Sequence, residues 1–447
     1  MPLSVRVPLS VCMVKVLTRE IISNDRTGEK YTRIKHDSGL EILIWKTEGY
    51  SIKHALFGTR YGSVNTTFKT RDDADFVTVP NGIAHYLEHK LFENEDCGVF
   101  ELYAKTGAFG NAYTSFDRTC YLFSCTENFI PSLKILLDFV QKPYFTEETV
   151  RKEQGIIGQE IRMYEDDPNW RVFFNMLGGI YHENPVRIDI AGTKESIAQI
   201  NADLLYRCYY TFYNLHNMVL AIAGDVDEDE IMKLCDEMLI PSENKELMTI
   251  VPEEPVTVAS KYVEQKLEVA VPMFNIGYKS EPVSNEDIVR CEVLSDMVLA
   301  MLADETSDFY KRLYDEGLIN SVFSSETFSG DGFFVPIFGG ESREPEKVAQ
   351  LIAEEIERRK QVGFTKEEFE TVRKAYYGSL IRNLGNPEAI ASGLIKAGLR
   401  GTGNAFSTIE TVASVTAEDA AEFLRQRFDP ENCTLSVIRS EEQEGKA

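Results

Sequence analysis

Two histidines and a glutamate crowd into the run Pro80-Asn81-Gly82-Ile83-Ala84-His85-Tyr86-Leu87-Glu88-His89. Pro80 and Asn81 are helix-opening residues and an apolar-periodic stretch follows, so the pattern predicts a helix over 81–93. At 100° per residue His85, Glu88 and His89 fall at about 0°, 300° and 40°, on one face roughly 100° wide. Imidazoles four residues apart can ligate one zinc ion through ring nitrogens about 2.0–2.1 Å from it. Glu88 beside them is placed to take a proton from water, and water on a catalytic zinc has its pKa lowered to about 7.

A catalytic zinc takes three protein ligands and leaves one position open. His36, His54, His182 and His216 stand in no motif, so the third ligand is sought among the acids. In Glu153-Gln154-Gly155-Ile156-Ile157-Gly158-Gln159-Glu160 the two outer glutamates are seven residues apart, on one helix face beside Ile156, Ile157 and Ile161. A carboxylate on an inward face needs a partner, because burying an unpaired charge is costly. A metal ion and its histidines supply one. Glu160 is therefore assigned as third ligand, and Glu153 as an assisting residue that orients a ligating histidine. Taken singly, each pattern has a plainer account: paired histidines occur on many helices, and an acidic pair usually marks a solvated face. Together they point to one site.

These residues need a frame. Residues 31–48 read as two strands around the Asp37-Ser38-Gly39 turn, alternation resumes over 51–68, and 111–125 is rich in Tyr, Phe and Thr. Helical patterns cover 81–93, 99–106, 131–141 and about 147–180, and Met218 to Ala223 is an apolar strand closed by Gly224-Asp225. The proline-rich acidic stretch 239–258 is a linker signal. Beyond it 263–279 reads as strand, 286–316 as helix, 319–339 as strands, 344–361, 366–384 and 417–427 as helices, and 433–438 as a strand echoing 218–223. The fold class is α+β with an architectural duplication: an N-terminal domain at 1–240 carrying the metal site, a linker at 241–260, and a C-terminal domain of the same fold at 261–447.

The chain has 447 residues, ample for two cores, and carries 72 acidic against 47 basic residues for a net charge of −25. That balance argues against nucleic acid and against an anionic membrane surface as partners. It reads either as solubility or as an acidic mouth for basic peptides. The eight cysteines form no C-x-x-C pair and suit free thiols in a reducing compartment. No run approaches the roughly 18 apolar residues of a membrane span. The N-terminal stretch through Arg19 lacks acids and is faintly like an organelle transit peptide, but its prolines and valines suit a cytosolic tail or edge strand, giving a cytoplasmic expectation.

The residues around the motif resemble the pitrilysin-like inverzincin peptidases of the M16 type, which include insulin-degrading enzymes, mitochondrial processing peptidase and small bacterial processing-peptidase-like proteins. Gly82-Ile83-Ala84-His85 followed by Phe92-Glu93 looks like the family's G-x-A-H-x-x-E-H-x-x-F block. Gly107 to Tyr121 looks like its N-A-x-T-s strand, and Asn217 to Val226 is similar to the end of its first domain. The resemblance gives His85, His89 and Glu160 the ligand roles, Glu88 that of catalytic base and Glu153 that of assisting glutamate. It implies two homologous α+β domains forming one half of a clamshell, a Zn2+ cofactor, and hydrolysis of peptides or short unfolded polypeptides in the enclosed chamber. It also implies that Asn111 and Ala112 hold the substrate backbone on an open strand edge, although Asn111 after Gly110 also reads as a turn residue.

One departure bears on assembly. The family's second domain usually carries an arginine and a tyrosine that grip the substrate, around a segment matched here by Lys311 to Val322. Asn320 stands at the tyrosine position and no arginine falls at the expected place; Arg312 and Tyr314 are nearby, on what reads as an ordinary helix surface. The expectation is a heterodimer in which a paralogous subunit supplies the pair, with a homodimer as the other possibility. Two further readings compete with the endopeptidase. A non-catalytic structural subunit of the same fold would carry a broken His/Glu set. A nucleotide binder would need a Gly-rich phosphate loop, which is absent.

Overall fold

The computed structural model describes residues 16–93, 95, 98–401 and 403–441. The stretch 1–15, with the transit-peptide reading and Cys12, lies outside the described residues, as does Cys97.

Two sheets carry the fold. The first comprises β1 (Val16–Ser23), β2 (Lys30–His36), β3 (Glu41–Lys46), β4 (Lys53–Thr59), β5 (Phe109–Thr114), β6 (Thr119–Cys125) and β7 (Met218–Gly224), in the order β1-β2-β3-β7-β4-β6-β5. The second comprises β8 (Tyr262–Lys266), β9 (Met273–Tyr278), β10 (Ser324–Gly330), β11 (Phe333–Glu341) and β12 (Cys433–Arg439), in the order β8-β12-β9-β11-β10. In each sheet the first strand of the shared set of five pairs parallel with the last (β3 with β7, β8 with β12), and the remaining pairings are antiparallel. This is the duplication the alternating pattern implied. The stretch 241–260 runs between the two sheets, and its Met248–Thr249 pairs with Thr67–Lys69 in a small three-stranded ribbon.

Helix α1 (Ile83–Leu91) and helix α2 (Glu147–Asp166) pack on the first half, while α3 (Pro168–Ile180) crosses to lie on β9 and β12 of the second sheet. Helix α4 (Pro387–Arg400) returns the exchange, lying on β3, β4 and β7. Small residues allow this close approach. A Cβ on Gly179 of α3 would come within 2.4 Å of Thr434 Cγ2, and one on Gly398 of α4 within 2.8 Å of Val219 Cγ1. The first sheet is thus buried on both faces. Ile42, Ile44 and Phe57 face the helical core that includes α1, whereas Leu43, Trp45 and Leu56 face Ile390, Leu394 and Ile395 of α4.

Several expected boundaries change. The helix read over 147–180 is two, broken where Asp167 turns to extended backbone and caps α3, with Pro168 opening it. The helix read over 286–316 is likewise two, Ile288–Ala303 and Asp308–Asp315, with Ser307 capping the second. The strand read over 263–279 is split between β8 and β9, and 51–68 holds β4 and the start of the short strand at Thr67. Helices at Ala202–Phe212 and Glu228–Met238, and α4 itself, carried no recognised signal. Val16–Ser23 forms an edge strand, and its first four residues are the described end of the N-terminal stretch read as a tail or edge strand. Among the described residues no helix is long and apolar enough to cross a membrane.

Candidate metal centre

Helix α1 begins at Gly82, whose φ of 87° is left-handed and whose Cβ, if present, would lie 2.4 Å from the Ala191 carbonyl oxygen. Only glycine lets the helix start against that loop. The start fixes the rotation of α1, which buries Ile83, Tyr86, Leu87 and Leu91 and directs His85, Glu88 and His89 toward α2. Tyr86 donates its hydroxyl to the Val150 carbonyl, which ties the two helices together. Helix α2 is started by a capping box at Thr146 and Thr149, with Glu147 and Glu148 in its positive first turn. Its inner stripe is Val150, Glu153, Ile157 and Ile161; Ile156, read as one of the apolar neighbours of the glutamates, is 47% exposed.

The structure brings His85, His89 and Glu160 together, with their potential ligand atoms all within 4.8 Å of one another. Glu160 Oε2 lies 3.7 Å from His85 Nε2 and 3.4 Å from His89 Nε2. Four atoms around a tetrahedral zinc at about 2.0–2.1 Å are about 3.4 Å from one another, so the spacing suits the ion. His89 Nδ1–H donates to Glu153 Oε1 at 2.9 Å, which turns Nε2 toward Glu160. His85 is buried, and its Nδ1 has no hydrogen-bond partner among the described residues. Two imidazoles and a carboxylate are also the donor types a catalytic zinc takes. The residues fit the metal.

Charge follows from the packing. Burial, helped by the neighbouring His89, pulls the His85 pKa down to about 4, so its ring is neutral at pH 7 and keeps a lone pair to donate. Burial also acts to lower His89, but hydrogen bonds to Glu153 and Glu160 outweigh it and push that ring up to about 10. Burial acts to raise Glu160, yet the hydrogen bond with His89 and the charge of His85 bring it down to about 2. Glu153 is likewise held below its ordinary value: burial opposes, and the bond to His89 prevails. Glu88 goes the other way, raised by burial against a hydrogen bond from Thr114. Two carboxylates therefore stay charged about His89, Glu160 beside its Nε2 and Glu153 at its Nδ1, and a third, Glu88, is more basic than usual.

Two contacts escaped sequence reasoning. Thr114 Oγ1 donates to Glu88 Oε2 at 2.7 Å, and the Tyr164 hydroxyl donates to Glu160 Oε1 at 2.7 Å. Tyr164 was findable, being four residues beyond Glu160 on the same helix. Thr114 was findable only by counting alternation from Asn111 along β5. That strand is an edge of the first sheet, paired among the described residues with β6 alone. Asn111 is exposed and its Oδ1 accepts the Ala112 backbone N–H at 2.9 Å, while Ala112 is half-buried on the same face as Thr114. In the second half, Asn320 donates to Glu341 at 2.7 Å, and Arg312 and Tyr314 lie on the outer side of helix Asp308–Asp315, over Phe309 and against Tyr310.

Comparison with known proteins agrees with this architecture. The model of the insulinase family, peptidase family M16, matches residues 78–194, and that of the M16 inactive domain matches 199–376. YmfH of Bacillus subtilis, named an uncharacterized zinc protease, is 38% identical over 426 residues, which cover 93% of this chain and 98% of YmfH. An M16-like peptidase from Alicyclobacillus acidocaldarius, known by crystal structure, is 33% identical with a TM-score of 0.87, covering 96% of this chain and 100% of that one. The periplasmic protease PqqL of Escherichia coli shares the fold at 17% identity and a TM-score of 0.72, with 96% of this chain matching 48% of PqqL. With a two-domain fold, an inverted His/Glu motif and a relative of near-equal length, the chain belongs to the M16 family of pitrilysin-like peptidases.

Proposed function

We propose that this chain is a zinc-dependent endopeptidase acting on peptides or short unfolded polypeptides, with domains at 1–240 and 261–447 forming one half of a clamshell. The observation that carries the reading is the convergence of His85, His89 and Glu160 beside a half-buried Glu88 whose carboxyl is more basic than usual, at the foot of an edge strand. His85, His89 and Glu160 would hold the metal, which supplies Lewis acidity to a peptide carbonyl and acidifies water. Glu88 takes the proton of the attacking water and delivers it to the leaving amine. Glu153 holds the His89 ring through Nδ1–H, so that with metal bound Nε2 would give up its proton and serve as the ligand atom. A substrate adds to the outer edge of β5 as a further strand, with Asn111 and Ala112 gripping its backbone, so affinity comes with little demand on sequence.

A paralogous subunit is the proposed partner. In its favour, Asn320 is committed to Glu341, and Arg312 and Tyr314 sit on an outer helix face, so this chain lacks an obvious substrate-gripping pair. PqqL, about twice the length, suggests that a second half completes the chamber. Buried free thiols at Cys120, Cys125, Cys208 and Cys235 suit a reducing compartment such as the cytoplasm.

The test is a peptide-library digest by purified chain and by its Glu88→Gln variant, each with and without the paralogue, alongside metal analysis. One zinc per chain in both, hydrolysis by the wild type with its partner, and none by Glu88→Gln support the reading. Turnover by Glu88→Gln at the wild-type rate rejects it. Absence of stoichiometric zinc favours the non-catalytic subunit instead. Full activity of the chain alone, unchanged by the paralogue, rejects the heterodimer.

A further inference from the structure

Among the site's side chains, Glu88 is anchored differently from the rest. His89 and Glu160 take their hydrogen bonds from or give them to residues of α2, namely Glu153 and Tyr164. The hydrogen bond to Glu88 comes from the sheet instead, from the Thr114 hydroxyl at 2.7 Å. Thr114 is the last residue of β5, in register with Thr119 of β6, and its side chain is half-buried. The neighbouring hydroxyl offers it no competing acceptor of consequence. Thr119 Oγ1 lies 3.4 Å away, too long for a good bond between hydroxyls, and its own proton goes to the Tyr61 carbonyl at 2.8 Å. The one donor proton of Thr114 is thus directed at the Glu88 carboxylate, a charge-assisted contact of the stronger kind.

The strand that supplies this proton is the edge strand. β5 is held by β6 on one side, and among the described residues no strand pairs with its other side. Asn111 and Thr114 are three residues apart on it, about 10 Å along an extended chain. A peptide that pairs with the other side of β5 gives it a second partner and restrains its backbone through to Thr114.

We infer that Thr114 is a positioning residue for Glu88, and that through it occupancy of the β5 edge sets the orientation of the base. This rests on the endopeptidase reading above. It means that part of the binding energy of a longer peptide is realised as turnover rather than affinity, because pairing remote from the scissile bond orders the base.

The experiment compares Thr114→Val, which keeps shape and removes the hydroxyl, with Thr114→Ser, which restores it. Both are assayed with a series of peptides of increasing length around one cleavage site, in the complete enzyme with its partner subunit. Loss of a hydrogen bond to a charged group predicts a fall in kcat of about 10- to 100-fold for Thr114→Val. Its KM for the shortest peptide stays within about twofold and its zinc stoichiometry is unchanged, since no ligand is touched. The wild type is expected to show kcat rising with peptide length, and that rise flattens in Thr114→Val; a wild-type kcat independent of length overturns the coupling to the strand edge. Thr114→Ser returns to within about threefold of the wild type and recovers the length dependence. Should Thr114→Val fail to fold, Thr114→Ala carries the same outcomes. Wild-type kcat in Thr114→Val, a serine variant as slow as the valine one, or loss of zinc on removing the hydroxyl each overturns the inference. Failure of the underlying reading looks different: Glu88→Gln then hydrolyses at the wild-type rate, whereas a dead Glu88→Gln beside an unaffected Thr114→Val rejects the positioning role alone.

Discussion

Glu254 in the inter-sheet stretch binds like a tethered ligand, and removing it should loosen the joint between the two halves. Its carboxylate accepts the backbone N–H groups of His182, Glu183 and Asn184, each at 2.8 Å, and the Lys279 ammonium at 2.7 Å. Both side chains are nearly enclosed, at 10% exposure for Glu254 and 5% for Lys279. Lys279 also donates to the Ile180 and Thr257 carbonyls at 3.0 and 2.9 Å and stands over the Tyr181 ring. Glu254→Ala leaves three backbone donors and one buried ammonium short of their acceptor. Breaking a buried pair from one side costs about 3–5 kcal/mol. With an unfolding entropy of about 2.1 cal/mol/K per residue, ~4 kcal/mol lowers Tm by ~4 °C if the whole chain unfolds together. Thermal unfolding followed by circular dichroism reads this directly, and Glu254→Ala/Lys279→Met should regain part of the loss, because no unpaired charge stays buried. The pH dependence has a definite sign. Burial acts to raise the Glu254 carboxyl, but Lys279 and the three N–H groups hold it below its ordinary value. Its contribution is therefore complete above the unfolded carboxyl pKa of about 4.3 and fades as pH falls through the lower folded value. The gap between wild type and Glu254→Ala should close in that acid range. A variant within 1 °C (about 1 kcal/mol) of the wild type at pH 7 would refute the reasoning.

Three further outcomes follow from particular contacts. Tyr164→Phe keeps the ring stacked on Trp170 at 4.5 Å and removes the 2.7 Å bond to Glu160, so zinc affinity measured by chelator competition should fall about tenfold; an unchanged Kd would remove Tyr164 from the site. Gly178 and Gly179 are neighbours near the end of α3 with opposite surroundings, one open and one 2.4 Å from Thr434. Gly178→Ala should raise stability by up to about 1 kcal/mol and Gly179→Ala lower it by about 1–3 kcal/mol, and equal effects in denaturant titration would contradict the helix exchange. Stripping the metal with a chelator should abolish hydrolysis, and zinc alone should restore it; activity surviving complete removal would exclude a metal role.

Much of the site was legible because its signals are local. His85, Glu88 and His89 sit within five residues, where helical periodicity alone sets the shared face. Glu153 and Glu160 declared themselves by a seven-residue repeat, and the structure puts both against α1. The duplication was legible as a repeated order of elements, and the matched pairing of β3 with β7 and β8 with β12 expresses it. What escaped depends on contacts distant in sequence. An amphipathic pattern tells that α3 and α4 each bury a face, but not that each buries it on the other half's sheet; only the close contacts of Gly179 and Gly398 reveal that. The breaks at Asp167-Pro168 and Asp304–Ser307 were written in capping residues, yet apolar periodicity continued across both and hid them. Thr114 escaped because a threonine in a strand is ordinary until the residue opposite it is known.

The central claim is that His85, His89 and Glu160 hold one zinc ion beside Glu88. Anomalous diffraction from crystals of the zinc-loaded protein, recorded on either side of the zinc absorption edge, tests it most directly. The account predicts one strong peak enclosed by those three side chains, absent below the edge. A peak elsewhere on the chain, or zinc-loaded crystals with nothing between the two imidazoles and Glu160, would contradict it.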